Sequence, residues 1–459
     1  MTQLFTVQEM LEITRGRLHA GRPETPVTGF AYDSRQVRPG DCFVAMPGER
    51  VDGHDFAAKA AEQGAACILA ARPVQAHGAA VILVPDPLTA LGQLGRAHRS
   101  RYPIPLVGIT GSVGKTTTKD LIAAVLSARF RVVGSPGNLN SEVGLPVALM
   151  ALDATCEVAV QEMGMRALGE IAYLVSIAQP TIGVVTNVGP THLELLGSIE
   201  NIALAKSELI RGLPPTGTAV LNADDDRVAA MAAVAPPRGR LWFYGTRAEG
   251  KGERWVSVRE IRRDGEAGQR FTLLTPVGEA EAYLPAPGPH NVLNAMAAVA
   301  VGLDLGMTLQ EAARGIAGYT PSGSRMRILK ARGIRILDDT YNAAPVSTIA
   351  ALRTMRELAG DGRCIAVLGS MFELGAAAAP GHRQVGAEAA RLAEHVLTVG
   401  DLAVHYGEGG GARVRHYPDK PALLADLIAL VQPGDTVLVK GSRGMAMEEI
   451  VQALEKHFA

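Results

Sequence analysis

The sequence has few cysteines, almost no net charge and no long apolar run. Its 459 residues include 4 cysteines, which lie far apart and form no CxxC pair, so neither a disulfide framework nor a cysteine-based zinc site is expected. A formal net charge of −1 gives no electrostatic signal for nucleic-acid binding. No segment approaches the roughly 18 apolar residues that span a bilayer, and no basic-then-apolar leader pattern opens the chain. We therefore expect a cytoplasmic globular protein that neither binds nucleic acid nor inserts into a membrane.

The alternation of apolar segments predicts an α/β protein of three domains, consistent with about one domain per 150 residues. Residues 1–103 combine short apolar runs with a helical pattern, as in a small α/β domain. In residues 104–318, strand candidates alternate with helical patterns, which favours βαβ units in a mainly parallel sheet. Residues 319–459 repeat this alternation and are expected to form a second doubly wound domain.

One interval of the central segment, from about 241 to 286, has a different texture. Here "RWVSVREI" and "QRFTLLTPV" flank the turn-like "RRDGEAG", a pattern typical of an antiparallel hairpin. We therefore predict a small antiparallel insertion in the doubly wound central domain.

The segment "GITGSVGKTTTKD" (108–120) has the character of a phosphate-binding loop, although its spacing is shorter than GxxxxGK[ST]. It follows a strand candidate and opens a helix, so its glycines let backbone amides curl around phosphate at a helix N-terminus. Its lysine is placed to neutralise the β and γ phosphates, and the next threonine to reach Mg²⁺. The alternative is a glycine turn with a solvated lysine. The residues expected to bind nucleotide are Gly111, Ser112, Gly114, Lys115, Thr116 and Thr117.

Further motifs accompany this loop in the order found in one enzyme family: "TNVGPTHLELLGS", "ALAKSELI", "GPHNVLNAMAA", "LDDTYNAAP", "VLGSMFELG" and "VKGSRGMAMEEIV". They extend over nearly the whole chain, which resembles the Mur ligases, ATP-dependent amide-forming enzymes of peptidoglycan synthesis. "GNLNSEVGLP" and "DDTYNAAP" look like the members that join D-alanyl-D-alanine to UDP-N-acetylmuramoyl-tripeptide, and "YDSRQVRPGDCFVAMPGERVDGHDF" looks like the family's UDP-sugar domain. The resemblance implies a UDP-binding domain, a central P-loop ATPase-like domain and a C-terminal Rossmann-like domain.

The implied reaction activates the tripeptide carboxylate with ATP, the co-substrate, as an acyl phosphate. The dipeptide amine then gives UDP-N-acetylmuramoyl-pentapeptide, ADP and phosphate. The implied partners are UDP-N-acetylmuramoyl-tripeptide and D-alanyl-D-alanine, the implied cofactors are two Mg²⁺ ions, and a monomer is expected. Concentrated negative charge of this kind calls for positioned cations.

The resemblance also implies metal and catalytic roles, which join Lys115. It makes Glu162 a Mg²⁺ ligand together with Thr116, whereas a lone glutamate after a strand is more often a cap or surface acid. It gives His192 a place at a second Mg²⁺, although one histidine supplies no metal spacing and Mg²⁺ prefers oxygen. It makes Lys206, by default a solvated helix lysine, the carrier of a CO₂-derived carbamate that helps bind the second Mg²⁺; burial would favour the neutral amine that this requires.

Two asparagines lie three residues apart at a predicted helix start, hence on one face. Asn291 is equally well interpreted as a helix cap. Asn294, inside the helix where asparagine is a poorer helix former, is the better candidate for the nucleotide contact that the family implies.

The third domain is expected to complete the ATP site from the other side. Arg325 follows the domain boundary and can reach the γ-phosphate only when the domain closes. Of the neighbouring acids Asp338 and Asp339, the resemblance selects Asp339, at the end of the domain's first strand. Tyr341 is expected to stack on adenine and Asn342 to fix it; the alternative is a turn-forming cluster.

Substrate-binding residues follow from motif match alone, with ordinary turn residues as the alternative. The uridine diphosphate and the muramoyl peptide are expected to contact Ser34, Arg35, Gly53, His54, Asn138 and Asn140.

Three other functions remain open at this point. The related ligase that adds a diamino acid is disfavoured because "YNAAP" stands where a "DNP" type of motif is expected. A P-loop NTPase switch is disfavoured by the short loop, and a noncatalytic nucleotide-binding module by the presence of Lys115, Glu162, His192 and Lys206.

Overall fold

The computed structural model describes residues 3–48 and 51–458, and their strands form three larger sheets and one two-stranded sheet. Each larger sheet lies within one of the three predicted segments, and the predicted α/β fold class is confirmed. Two residues of the quoted UDP-sugar segment, Glu49 and Arg50, lie outside the described residues. Within the described ranges, no helix combines the length and apolar character needed to cross a membrane.

The first segment is a small α/β unit. Its strands are β1 (Phe5–Thr6), β2 (Arg17–Ala20), β3 (Pro26–Val27), β4 (Gly29–Ala31), β5 (Asp41–Val44), β6 (Cys67–Ala70) and β7 (Ala80–Leu83), and its helices are α1 (Val7–Thr14), α2 (Ala57–Glu62) and α3 (Pro87–Ser100). Five strands form one sheet in the order β2-β7-β6-β5-β4, parallel except for β2, and β1 pairs with β3. The fully buried strands β5 and β6 explain the continuous apolar runs of this segment.

The central segment contains a nine-stranded sheet. Its strands are β8 (Leu106–Thr110), β9 (Val132–Gly134), β10 (Val158–Glu162), β11 (Ile182–Val185), β12 (Thr218–Asn222), β13 (Arg240–Tyr244), β14 (Trp255–Arg263), β15 (Gln269–Thr275) and β16 (Gly278–Leu284). Their order is β16-β15-β14-β13-β12-β11-β8-β10-β9, with parallel pairing from β9 through β14.

Helices cover both faces of the central sheet, as a doubly wound fold requires. They are α4 (Lys115–Ser127), α5 (Gly144–Leu149), α6 (Glu170–Ala178), α7 (Leu193–Leu196), α8 (Ile199–Arg211), α9 (Asp226–Ala230), α10 (Pro289–Asp304) and α11 (Leu309–Ala317). One core contains residues of α4, α10 and α11, and the core on the opposite face contains residues of α5, α6 and α8. The strands consequently present their carboxyl ends at one edge, where ligands of such sheets bind.

The predicted hairpin is confirmed, since β14 pairs antiparallel with β15. The interval is nevertheless not a separate insertion: it begins with the parallel strand β13, β14 continues the sheet from it, and β16 adds a third antiparallel strand. The tip of the hairpin reaches the third segment, because Glu266 accepts a 2.6 Å hydrogen bond from Arg335 and lies 2.7 Å from the Lys330 ammonium. Arg263, beside the tip, pairs with Glu357 at 3.0 Å.

The third segment forms a six-stranded sheet. Its strands are β17 (Arg327–Ala331), β18 (Ile334–Asp339), β19 (Cys364–Gly369), β20 (His395–Val399), β21 (Val414–Tyr417) and β22 (Thr436–Lys440), and its helices are α12 (Pro345–Ala359), α13 (Ala378–Leu392), α14 (His405–Gly410), α15 (Lys420–Leu430) and α16 (Glu448–His457). The order is β17-β18-β22-β19-β20-β21, parallel except for the β17–β18 pair. The prediction that Asp339 ends the first strand is therefore wrong: β17 precedes, joined by a turn in which Arg332 and Gly333 both have positive φ.

Short 3₁₀ helices complete the secondary structure. They are Ser34–Gln36, Gly53–Phe56, Met231–Val234, Gly265–Ala267, Gly375–Ala377, Asp401–Val404, Gly411–Arg413 and Arg443–Met445.

A buried carboxylate ties α10 to two strands of the central sheet. The fully buried side chain of Asp304 accepts hydrogen bonds from Arg240 at 2.6 and 2.9 Å, from the Trp242 indole at 3.0 Å and from the Thr218 hydroxyl at 2.8 Å. Its four contacts fix the end of the helix against β12 and β13.

Replacing Asp304 by alanine is expected to lower the free energy of unfolding by about 2 to 3 kcal/mol, because Trp242 and Thr218 lose their acceptor and Arg240 its partner. Since the arginine is 47% exposed, the expected loss of stability is at the lower end of the range for a broken buried ion pair. Urea unfolding measures it. The matched control is Asp226→Ala, whose carboxylate is 86% exposed beside Arg247 and should change stability by less than about 0.5 kcal/mol. Equal effects of both substitutions would contradict the anchoring role.

Candidate active site

The segment predicted to bind phosphate, called the phosphate loop from here on, lies between β8 and α4 at the carboxyl edge of the central sheet. Two of its glycines are required by geometry. A Cβ on Gly111 would stand 1.8 Å from the Thr186 hydroxyl oxygen, and Gly114, the N-cap residue of α4, has a φ of 83°, a conformation that side-chain-bearing residues rarely adopt. Residues 112–117, which include the start of α4, line the cavity.

Residues after β11 hold this loop in shape. The Asn187 amide accepts from the Val113 N–H and donates to the Val113 carbonyl, both at 2.9 Å. Ser112 donates to the Gly189 carbonyl at 3.0 Å and accepts from the Gly189 N–H at 2.8 Å. The sequence prediction missed Asn187, although its place two residues after a buried strand is a usable signal.

Lys115 is the first residue of α4, and its ammonium donates to the Gly111 carbonyl at 2.7 Å. Burial lowers the pKa of this lysine; the nearby Glu162 carboxylate acts in the opposite direction, and the Arg325 guanidinium lowers it further. The ammonium is thus held within the loop, where a nucleotide phosphate would offer it a stronger partner than a carbonyl.

Glu162 is the last residue of β10 and is 2% exposed. Thr116 donates to one of its oxygens at 2.7 Å, and the Asn140 amide donates to the other at 2.7 Å. Thr116 also accepts a 3.0 Å hydrogen bond from Arg325. Three predicted site residues from separate elements are therefore joined to the loop in one network.

Lys206 lies on α8 with 2% exposure. No described residue forms a hydrogen bond or ion pair with its ammonium, and it lies outside the residues that line the cavity. Burial first, and then the positive charge of Lys115, lower the pKa of Lys206 well below its ordinary value. The default interpretation of a solvated helix lysine is therefore wrong: the amine is buried, and its surroundings shift it toward the neutral form.

His192 precedes α7 in a left-handed conformation, with a φ of 55°. Its Nδ1 lies 2.8 Å from a carboxylate oxygen of Glu373, which belongs to the third segment. This contact holds the pKa of Glu373 below its ordinary value. Gly375 approaches the backbone of Glu194 here, where a Cβ would come within 2.9 Å, so the "SMFELG" segment packs closely on the central domain.

The two asparagines of α10 are both buried. Asn294 accepts a 3.1 Å hydrogen bond from Thr118 and lies beside Gly114, at the loop. Asn291 does not cap the helix: the cap position is Gly288 with proline in the first turn, and the Asn291 amide donates to the Pro287 carbonyl at 2.7 Å.

The third segment contributes one wall of the same cavity. Arg325 stacks on Tyr341, with its guanidinium carbon 3.7 Å from the ring centroid. Asp339 pairs at 2.6 Å with Lys440, whose ammonium also donates to the Asn342 carbonyl at 2.7 Å. The sequence prediction missed Lys440, whose signal was its position at the end of β22.

Asp338 behaves differently from its neighbour, as the alternation along a strand requires. It is 1% exposed and accepts a 2.7 Å hydrogen bond from the Thr340 hydroxyl, whereas Asp339 lines the cavity.

Residues of the central and third segments together line one cavity of about 630 Å³. Predicted site residues that line it are Ser112, Gly114, Lys115, Thr116, Thr117, Asn140, Glu162, His192, Asn294, Arg325, Asp339, Tyr341 and Asn342. Its volume suits a nucleotide-sized ligand.

The predicted substrate residues of the first segment lie apart from this cavity. Ser34 is buried, and the exposed Arg35 pairs with Asp33 at 2.7 Å. A Cβ on Gly53 would clash with the Met46 backbone at 2.6 Å.

His54 belongs to the same group. Its Nδ1 lies 2.6 Å from Asp52, and its Nε2 accepts from the Ala71 N–H at 2.9 Å, so neither ring nitrogen is free for a ligand. Asn138 is exposed and does not line the cavity either.

The fit of Mg²⁺ can be judged from the donors. The Thr116 hydroxyl and the Glu162 carboxylate are hard oxygen donors already in contact, the type that Mg²⁺ prefers. Among residues 3–48 and 51–458, no group of three His, Cys, Asp or Glu side chains is arranged to hold a metal ion. These two residues therefore fit a partly hydrated Mg²⁺ that also takes phosphate oxygens, whereas Lys206 offers an oxygen donor only if it is carbamylated.

Comparison with family models assigns each segment. Residues 26–99 match the model described as Mur ligase family, catalytic domain, residues 109–302 match the Mur ligase middle domain, and residues 324–443 match the Mur ligase, glutamate ligase domain.

Curated proteins and solved structures are similar over the full length. UDP-N-acetylmuramoyl-tripeptide–D-alanyl-D-alanine ligases of Bacillus subtilis and Escherichia coli share 38% and 36% identity, each over 98% of this chain and 98% of the relative. A crystal structure of MurF from Acinetobacter baumannii has 33% identity and a TM-score of 0.90, covering 98% of this chain and 99% of that one. A MurF ligase from Thermotoga maritima, solved in complex with ADP, has 29% identity and a TM-score of 0.82, covering 94% and 98%.

Proposed function

The chain belongs to the Mur ligase family, and from that membership we propose its reaction: ATP-dependent joining of D-alanyl-D-alanine to the terminal carboxylate of UDP-N-acetylmuramoyl-tripeptide. The observation that carries the proposal is the network from Arg325 through Thr116 to Glu162, which joins the third domain to the phosphate loop in one cavity. The substrates are those named for the full-length relatives.

The reaction has two steps whose charges match this cavity. A tripeptide carboxylate oxygen attacks the γ-phosphorus of ATP, the bond to the β-γ bridging oxygen breaks, and ADP leaves. The dipeptide amine then attacks the acyl phosphate carbonyl, an amide forms, phosphate leaves and the amine loses a proton. We assign to Lys115 and Arg325 the stabilisation of the transferring phosphoryl group, since both are cations that line the cavity.

Mg²⁺ would supply neutralisation of phosphate charge in this reaction. We assign Thr116 and Glu162 to one ion because their oxygens are already adjacent. A second ion, held by His192 and a carbamate on Lys206, is the family's arrangement. The unpaired, buried amine of Lys206 supports the carbamate, since the neutral amine is the form that reacts with CO₂.

Nucleotide contacts extend to both walls of the cavity. The four residues predicted to contact the nucleotide all line the cavity: Asn294, Asp339, Tyr341 and Asn342. We assign Asn342 to adenine, and Asn294 and Asp339 to other nucleotide contacts. Stacking on adenine is one of two roles for Tyr341, distinguished by the effect of its loss on ADP binding. We assign the muramoyl peptide to Asn138 and Asn140; the support is that Asn140 also lines the cavity and contacts Glu162.

The uridine diphosphate is assigned to the first domain, through Ser34, Arg35, Gly53 and His54. Because both His54 ring nitrogens are engaged within the protein, a contact from this residue comes from its backbone. The support is the motif match and the exposed Arg35 guanidinium, which suits a phosphate.

The domain limits that we propose are 1–103, 104–318 and 319–459. They are supported by the three sheets, none of which crosses a limit. We further propose that the enzyme acts as a monomer in the cytoplasm, where ATP is supplied.

The test is a coupled assay with ATP, D-alanyl-D-alanine and UDP-muramoyl-tripeptides that carry lysine or diaminopimelate. We expect ADP and phosphate in a 1:1 ratio with a pentapeptide product identified by mass, and only when both substrates are present. ADP release indifferent to the dipeptide would refute the ligase. Product formation with a free diamino acid and the UDP-muramoyl-dipeptide, but not with D-alanyl-D-alanine, would establish the rival ligase instead.

A further inference from the structure

The Arg325 guanidinium lies between partners from two domains. Its carbon is 3.7 Å from the centroid of the Tyr341 ring, and Nη2 donates a 3.0 Å hydrogen bond to the Thr116 hydroxyl. A guanidinium at that distance is stacked directly on the ring face, where the quadrupole attracts the cation. One face of Tyr341 is therefore occupied by protein.

The backbone around Arg325 is fastened on both sides. The Tyr341 N–H donates to the Ser324 carbonyl, and the Met326 N–H donates to the Asp339 carboxylate, each at 3.2 Å. Met326 has a φ of 53°, a conformation rare for a residue with a side chain. The chain direction at Arg325 is thus fixed, and only its long side chain retains freedom.

A cation stabilises a transition state effectively only if it is held in place before charge develops. We propose that Tyr341 is a positioning residue for Arg325: its ring holds the guanidinium at Thr116, where the γ-phosphate transfers. The inference rests on the proposed ligase function. It differs from the adenine-stacking role, which needs only the opposite ring face.

The two roles predict different kinetics. An adenine platform contributes to binding of ATP and ADP alike, so its loss raises KM for ATP and weakens ADP binding. A positioning residue acts through Arg325, which is proposed to lie next to the γ-phosphate, and ADP has no γ-phosphate. Its loss therefore lowers kcat and leaves ADP affinity nearly unchanged.

The variants are Tyr341→Leu and Tyr341→Met, which remove the ring, and Tyr341→Phe, which keeps it. No described residue hydrogen-bonds the Tyr341 hydroxyl, so phenylalanine preserves the stacked contact. We expect either ring-less variant to lower kcat about tenfold with KM for ATP within about threefold of the parent, and phenylalanine to restore kcat to within about twofold. Two ring-less variants are used so that the comparison holds with whichever folds.

A double-mutant cycle isolates the partnership. In an Arg325→Gln background no guanidinium remains to be positioned, so Tyr341→Leu should change kcat by less than about twofold. A tenfold loss in both backgrounds would overturn the inference. So would a rise in KM for ATP without a loss of kcat.

Calorimetric binding of ADP gives a readout independent of turnover. We expect ADP affinity in each folded ring-less variant to stay within about threefold of the parent; a loss above about tenfold would identify an adenine platform and overturn the positioning role. Failure of the parent to form pentapeptide would refute the proposed function itself. A parent that ligates, with ring-less variants of unchanged kcat, would refute only this inference.

Discussion

Replacing Lys115 by alanine is expected to lower the kcat of pentapeptide formation by about 10³-fold. The lysine begins α4 inside the phosphate loop, and its ammonium already points to the loop carbonyl of Gly111. The other lysine that lines the cavity, Lys440, is committed to Asp339 at 2.6 Å and cannot substitute. The residual activity should come from Arg325 and from bound Mg²⁺. ADP release dependent on both substrates is the measurement.

The control is Lys59→Ala, an exposed lysine of α2, which should leave kcat unchanged. The burial that lowers the pKa of Lys115 offsets the hydrogen bond of its ammonium to the Gly111 carbonyl, so thermal unfolding of the alanine variant should occur within a few degrees of the parent. A kcat within tenfold of the parent, in a folded variant, would show that the loop does not perform phosphoryl transfer.

Replacing Lys206 by methionine is expected to lower activity strongly while stabilising the protein. Activity should fall at least about 10²-fold, since methionine has no amine to carry a carbamate. Stability at pH 7 should rise by about 1 to 3 kcal/mol, because an unpaired buried amine is replaced by an apolar chain of similar length. Urea unfolding and the coupled assay measure the two effects.

The pH dependence of the free energy of unfolding provides an independent test of Lys206. The pKa of Lys206 is lowered in the folded protein from an ordinary 10.5, so below 10.5 the unfolded chain binds a proton that the folded chain binds less readily. Parental stability should therefore rise with pH from the lowered value up to about 10.5. Lys206→Met should lose that component of the slope.

Lys119→Met is the matched control for a buried lysine with partners. Lys119 is 5% exposed, and its ammonium donates a 2.8 Å hydrogen bond to the Ser135 carbonyl. Its removal should destabilise by about 1 to 2 kcal/mol, because an acceptor is left unpaired. If Lys206→Met instead destabilised as Lys119→Met does, the amine of Lys206 would have a partner in solution; retained activity would exclude the carbamate.

The strand, glycine turn and helix of the phosphate loop were predictable because together they form a local feature. The strand before it, the glycines and the helix from Lys115 follow one another along the chain, so the sequence order itself carries the geometry. The alternation around it likewise predicted the parallel sheets, since buried parallel strands appear as continuous apolar runs.

Contacts between distant segments were not predictable. Asn187 clamps the loop and Glu373 reaches His192, but each looks like an ordinary strand-end or loop residue until the fold brings its partner near. Lys206 shows the converse: only the packing of α8 reveals that its amine is buried. Strand β17 was missed because its apolar residues are few and half buried at a sheet edge.

The salt-bridged tip of the β14–β15 hairpin attaches the third domain to the central domain at a place outside the cavity, through Glu266 with Arg335 and Lys330. This contact adds to those at the cavity, where Arg325 meets Thr116 and Glu373 meets His192. Movement of the third domain away from the cavity must therefore either break the salt bridges of the hairpin tip or turn about them. Dissolved salt screens the charges of exposed salt bridges and so weakens them. We therefore expect ionic strength to change the arrangement of the third domain through a hairpin that takes no part in the chemistry.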